Sequence, residues 1–186
     1  MSVIFIVIYS IWLLSEVLVN RLMHSNKRDK QQADKGSLLF IWLTITISIT
    51  AAVYIANSYF LPVSSYSGIK YFGLALIILG IIMRLIVIRS LGELFTVDVT
   101  IRENHRLKKD GFYRYLRHPS YFASFISFMG FGLSLNNWIS LLLVTVLIFI
   151  AFAKRIKVEE KALTAFFGKE YQNYRKQTNA IIPFIY

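Results

Sequence analysis

Apolar residues dominate three stretches of this chain, 2–23, 38–61 and 70–91. Each is close to the roughly 20 residues that a helix needs to cross about 30 Å of hydrocarbon, so each is predicted as one membrane-spanning helix. A fourth apolar run, 119–153, is too long for a single crossing and holds Gly130, Gly132 and the pair Asn136-Asn137 near its middle. Glycine and asparagine punctuate helices, and this run is predicted to fold as a tight helical hairpin of two short spans that meet near "SLNNW". The pattern gives an all-α integral membrane bundle with five transmembrane helices. Three polar segments alternate with them: 24–37, 92–118 and 154–186. No internal repeat, low-complexity tract or linker divides the chain, so 1–186 reads as a single domain.

Composition supports a bilayer as the solvent. Of 186 residues 56% are apolar, and the mean hydropathy is +0.55, well above the balance of a soluble domain. The net charge of +11 does not point to nucleic acid, because the basic residues lie between long apolar runs and not on one soluble face. Anionic headgroups of membrane lipids, or an anionic ligand, suit them better. The absence of cysteine excludes disulfides, a thiolate nucleophile and a cysteine-based metal site, and no metal centre is expected. No basic region precedes the first apolar stretch and no small-residue cleavage site follows it, which argues for a retained span over a removed signal peptide.

The distribution of Lys and Arg sets the orientation. Five lie between Arg21 and Lys35, seven between Arg89 and Arg117, and seven between Lys154 and Lys176, which is 19 of the 21. These three segments share one side only if 119–153 is a hairpin. The connections at 62–69 and 134–137 then share the other side and carry no charge. The positive-inside rule puts the basic segments in the cytoplasm and the N-terminus outside.

Candidate chemistry lies in those basic segments. Within the spans, Glu16 and Arg84 are costly in hydrocarbon, and either pair with each other or snorkel to the headgroups. In "ENHRLKKDGFYRYLRHPSY", Asp110-Gly111 marks a turn and Pro119 opens the fourth apolar run, where its missing N–H costs nothing. His118 then stands at a helix mouth, whose free N–H groups and dipole suit a carboxylate or phosphate. The plainer interpretation is an interfacial belt, with Tyr113, Tyr115 and Tyr121 at headgroup depth. In "KRIKVEEKALTAFFGKEYQNYRK", Arg155 and Glu159 share a face of a helix leaving the last span, with Glu160 beside them, which also fits an ordinary i,i+4 salt bridge. Leu163, Phe166, Phe167, Tyr171 and Tyr174 follow at helical spacing, as a packed surface helix would place them.

Two groups of residues, taken in order, resemble the isoprenylcysteine carboxyl methyltransferase family. The first is His105, Leu107, Gly111, Tyr113 and the run Arg117, His118, Pro119, Ser120, Tyr121. The second, after the hairpin, is Arg155, Glu159, Glu160, Gly168, Tyr171 and Tyr174. The resemblance covers the chain from about residue 90 onward; the first three spans match only in being apolar. It implies an integral membrane enzyme that moves a methyl group from S-adenosylmethionine to a lipophilic small-molecule or lipidated acceptor. It also implies a division of the domain into three N-terminal spans, 1–91, and a cofactor-binding and catalytic part, 92–186. Carried over position by position, His105, Arg106, Leu107, Lys108, Tyr113, His118, Pro119, Ser120, Tyr121 and Glu159 would line the cofactor. Arg155 would contact the acceptor, and Arg155 with Glu159 would form the catalytic pair. The chain departs from the family in having Phe112 where proline is frequent and Asp98 where some relatives present an amide.

These assignments suit the ligand's chemistry. S-Adenosylmethionine carries a sulfonium, an ammonium, a carboxylate and an adenine, so its site calls for aromatic faces, an acid and anion-holding N–H groups. A carboxylate acceptor is already nucleophilic at neutral pH, which reduces catalysis to alignment and desolvation. Two other classes fit parts of the pattern. A membrane reductase with a related helical core would bind NADPH, and a non-enzymatic small membrane protein would bind no cofactor. The oligomeric state is not legible.

Overall fold

A computed structural model describes residues 2–22, 36–92 and 107–181. His105, Arg106 and Asp98 lie outside the described residues. The fold among those described is all-α: α1 (Val3–Leu22), α2 (Gly36–Ser58), α3 (Gly68–Leu91), a 3-10 turn (Gly111–Arg114), α4 (Pro119–Ser134), α5 (Trp138–Phe167) and α6 (Lys169–Gln177). Four helices, α1, α2, α3 and α5, are long and apolar enough to cross a membrane. They expose large apolar side chains along their outer faces, among them Val3, Leu39, Ile47, Ile82 and Val146, as a protein solvated by lipid must. The chain is a multi-pass integral membrane protein.

The two arms of the 119–153 run differ in length. The turn falls at residues 135–137 as the sequence predicts, but α4 has 16 residues and α5 has 30. At about 1.5 Å per residue α4 falls short of a full crossing, whereas α5 continues unbroken past the last apolar residues. The extension is intrinsic to "KRIKVEEKALTAFF", which is rich in good helix formers and free of Gly and Pro until Gly168. Gly168 stops it with a positive φ of 56° and donates its N–H to Thr164 O at 2.9 Å. From Lys154 onward α5 is charged and lies beyond its apolar stretch.

The hairpin is fastened at its tip. Asn136 adopts a φ of 50°, which asparagine tolerates better than most residues, and exchanges two side-chain bonds with Ser64, at 3.0 and 2.9 Å. Asn137 caps α5 by accepting from Ser140 N at 3.1 Å and donates to Tyr59 O at 2.7 Å. The pair thus makes the turn and also ties it to the α2–α3 connection.

Small residues bring α3 and α4 together. A Cβ on Gly73 would stand 2.5 Å from Gly130 O, and one on Gly130 would stand 2.6 Å from Gly73 O, so only glycine permits this approach. On the outer side α1 lays Trp12 against Phe128 and Phe131, with ring centroids 4.9 and 5.5 Å apart. α2 packs along α5 and α6 folds back on its end, so the polar ends of α4 and α5 are held side by side.

Candidate active site

Three pieces of chain meet at that polar end: the turn leading into α4, the charged half of α5, and α6 with residues 178–181. Gly111, at a φ of 59°, opens the 3-10 turn that buries Tyr113. The Tyr174 hydroxyl of α6 donates to Tyr113 O at 2.5 Å. Beyond α6 the backbone pairs with the turn. Arg117 N donates to Asn179 O at 2.8 Å, His118 N to Ala180 O at 3.0 Å, and Asn179 N to Tyr115 O at 3.2 Å. Ala180 and Ile181 sink into the apolar core beneath.

Arg117 is the hub of this end. Its Nε donates to Glu160 Oε1 at 2.7 Å, and its guanidinium also donates to the Arg175 and Thr178 carbonyls. Arg175 reaches Glu160 Oε2 at 3.3 Å from the other side. Burial alone would raise the Glu160 carboxyl, but His118 and Arg117 outweigh it and hold the group at about 2. Burial acts in the other direction on the ring hydroxyls: it pushes Tyr174 up to about 12 and lifts Tyr113 and Tyr171 further. At neutral pH these tyrosines are donors and aromatic surfaces, not bases.

His118 stands between the two glutamates. Its Nδ1 is 3.6 Å from Glu159 Oε2 and its Nε2 is 3.5 Å from Glu160 Oε1, both long for hydrogen bonds. Glu159 Oε2 and His118 Nε2 are buried atoms with no hydrogen-bond partner. The vicinal acids therefore differ: Glu160 is engaged by two arginines, and Glu159 keeps an oxygen in reserve.

Arg155 lies one turn before Glu159 and is 2% exposed. It bonds Ser37 Oγ at the start of α2 and interacts with the Tyr121 hydroxyl. The Tyr121 ring is 5.8 Å from the His118 ring and 5.2 Å from Phe152, so it connects the glutamates to the aromatic core. Arg84, within the bundle, bonds Ser124, one turn beyond Tyr121 on α4, and pairs with Glu16 at 3.3 Å. The pairing alternative for Glu16 and Arg84 is therefore the one adopted.

Tyr113, His118, Tyr121, Arg155 and Glu159 are brought together. Leu107 and Lys108 stand on the approach to the turn, where Lys108 pairs with Asp110 at 3.2 Å. Pro119 and Ser120 form the first turn of α4. The helix mouth offers less to an anion than the sequence suggested. Pro119 has no N–H, Tyr121 and Phe122 N–H groups bond His118 O, and His118 N–H bonds Ala180 O, which leaves Ser120. Sequence reasoning missed Ser37, the central place of Arg117, and residues 178–181. Arg117 alone had a local signal, as the cation preceding His118-Pro119.

An integral membrane enzyme with its polar site at one end of a helical bundle is the class this arrangement defines. The model of the isoprenylcysteine carboxyl methyltransferase (ICMT) family matches residues 73–165. The chain is 37% identical over 144 residues to protein-S-isoprenylcysteine O-methyltransferase B of Arabidopsis thaliana, covering 76% of this chain and 73% of that protein. It is 38% identical over 114 residues to the protein-S-isoprenylcysteine O-methyltransferase of Schizosaccharomyces pombe, covering 60% and 48%. The solved eukaryotic intramembrane Ras methyltransferase ICMT shares the fold, with a TM-score of 0.64 at 24% identity, over 97% of this chain and 63% of that one. The chain thus spans less than two thirds of that structure and of some relatives.

The chain belongs to the isoprenylcysteine carboxyl methyltransferase family. It is a methyltransferase of the membrane, and its methyl donor is S-adenosylmethionine. The site's chemistry fits that donor: a buried carboxylate oxygen of Glu159 that makes no hydrogen bond suits a cation.

Proposed function

We propose that this chain methylates the carboxylate of a lipophilic, prenylated cysteine or a similar lipid-borne acid at the cytoplasmic face of its membrane. The observation that carries this is the placement of a buried guanidinium, Arg155, one helical turn from the unpartnered Glu159 oxygen, with Tyr121 between the apolar core and both. In this reading α4 and α5 form the fourth and fifth spans, α4 as a short span whose turn is tied to the α2–α3 connection. The basic segments face the cytoplasm. The acceptor's hydrocarbon stays in the bilayer while its headgroup enters between α4 and α5.

Glu159 holds positive charge, Tyr113 and His118 enclose it, and Leu107, Lys108, Pro119, Ser120 and the more distant His105 and Arg106 complete the cofactor wall. S-Adenosylmethionine supplies, when bound, a methyl group made electrophilic by its sulfonium. Arg155 grips the acceptor carboxylate by a charge-assisted bond and leaves one oxygen exposed. Tyr121 and Phe152 keep water from the acceptor oxygen, which raises its nucleophilicity. No residue need carry a proton, since the carboxylate is ionised on arrival.

Titration of the purified protein in detergent with S-adenosylmethionine and with NADPH tests the reading. Saturable binding of the former alone is expected, and binding of NADPH alone would favour the reductase. Glu159→Gln should weaken S-adenosylmethionine by about tenfold through loss of a charge partner. An unchanged dissociation constant would remove Glu159 from the cofactor wall.

A further inference from the structure

The charged half of α5 sorts its side chains by sign. Lys154, Lys157 and Lys161 are exposed, whereas Glu159 and Glu160 turn toward His118 and Arg155 is buried. Spacings of three and four residues put the three lysines on one face of the helix. Like charges so placed repel and cost the helix stability, and among the described residues no acid pairs with any of them. Lys154 has a neighbour that directs it: its Nζ stands 4.0 Å from the ring centroid of Phe40 on α2.

This face continues the one that meets hydrocarbon. Leu142, Val146 and Ile150, at intervals of four, are exposed along the apolar part of α5, and Lys154 is the next residue in that series. On α2, which packs along α5, Leu39, Leu43 and Ile47 are exposed as well. At about 1.5 Å per residue Lys154 lies roughly 6 Å past Ile150, Lys157 roughly 4.5 Å further, and Lys161 roughly 6 Å beyond that. The polar layer of a bilayer leaflet is about 5–7 Å deep. Lys154 therefore falls within it, and Lys157 and Lys161 stand above, able to bend their flexible stems down to a headgroup. The positive-inside tendency asks only for basic residues in a segment; it does not require them all on the face turned to lipid.

We infer that the face of α5 bearing Lys154, Lys157 and Lys161 is a seat for the headgroup of an anionic phospholipid, whose acyl chains lie along the exposed apolar side chains of α5 and α2. The lipid's negative charge offsets the repulsion among the three ammonium groups. The same helix carries Arg155 and Glu159 on its other side, so a seated lipid steadies that half of α5. The inference rests on the membrane placement proposed above, with the polar end of α5 at the headgroups, and is independent of which acceptor is methylated.

Native mass spectrometry of the purified full chain, released from mixed micelles with equal amounts of phosphatidylserine and phosphatidylcholine, tests the seat. Wild type should retain phosphatidylserine about fivefold over phosphatidylcholine as its first bound lipid. Lys154→Gln/Lys157→Gln/Lys161→Gln should bring that ratio to about one, and the matching triple change to Arg should keep it. Arg114→Gln/Lys169→Gln/Lys176→Gln removes as much charge from exposed positions elsewhere on the polar end, and should also keep it. An equal fall in both Gln triples would reduce the effect to net charge and overturn the proposal, as would a wild type without preference or a loss of preference in the Arg triple. Thermal unfolding in bilayers gives a second measurement: adding phosphatidylserine to phosphatidylcholine should raise the wild-type midpoint by about 3 °C and leave that of the lysine-to-Gln triple in place. An equal rise in both would overturn the steadying role. The affinity for S-adenosylmethionine in detergent should be the same in wild type and triple. A wild type that prefers phosphatidylserine but binds no S-adenosylmethionine would sink the cofactor wall and leave the lipid seat standing.

Discussion

Two arginines of this protein, Arg84 and Arg117, are both largely buried and both paired with a glutamate, yet they are held differently. Arg117 has Glu160 at 2.7 Å, two carbonyls at the end of α6, and Arg175 sharing its acid. Arg84 has one acid and one hydroxyl and keeps a buried nitrogen without a partner. A cation with its hydrogen-bonding capacity engaged fastens structure, and one with a donor unspent is ready for a ligand. The same contrast separates Glu160 from Glu159, adjacent on one helix. Burial and charge alone would not distinguish the members of either pair; the count of satisfied atoms does.

The contrast can be broken in order of effect. Arg155→Lys should leave S-adenosylmethionine affinity unchanged and cut turnover about a hundredfold, because a rotating ammonium lacks the planar guanidinium's fixed direction and cannot aim the free carboxylate oxygen. Equal turnover would show that Arg155 serves only as a charge. Arg117→Ala should cost about 3 kcal/mol of stability, since it strips the main partner from a buried acid. Thermal unfolding in detergent reads this directly, and a wild-type midpoint would place Arg117 with the ligand-facing cations instead. Gly130→Ala should cost about 2 kcal/mol by forcing α3 from α4, a loss felt in stability before turnover. Asn137→Ala, far from either arginine, should cost about 1 kcal/mol through the lost cap and leave both substrate affinities intact.

Acid titration gives the most specific effect. The Glu160 carboxyl sits at about 2 against an ordinary 4.5, so a folded-state carboxylate is favoured. Its stabilisation is complete above about 4.5 and fades as pH falls toward 2. Glu160→Gln should be less stable than wild type at neutral pH and lose less between those limits. Parallel acid unfolding curves would mean that Arg117 and Arg175 hold Glu160 weakly.

The spans of α1, α2, α3 and α5 were legible because hydrocarbon thickness fixes their length, and the hairpin because Asn136 and Asn137 interrupt an apolar run that no single helix could use. The family was legible because its residues recur at fixed local spacings around the hairpin. What was not legible depends on partners distant in sequence. Ser37 meets Arg155 across the whole bundle, Gly73 and Gly130 reveal themselves only when their helices touch, and residues 178–181 look like an ordinary tail until their carbonyls accept from Arg117 and His118. The helix mouth at His118 has fewer open N–H groups than its sequence suggests for the same reason, because the His118 N–H goes to Ala180 O.

The pairing of Arg117 with Thr178, 61 positions later, also has a consequence for biogenesis. A nascent chain can insert its apolar spans, through residue 153, before α6 and residues 178–181 emerge from the ribosome, but the clamp on Glu160 cannot close until they do. Assembly of the site is thus a late, non-local step, governed by loop closure and not by helix insertion. Ribosome-bound chains halted shortly after α5 should be embedded in the membrane, resistant to extraction, and unable to bind the methyl donor.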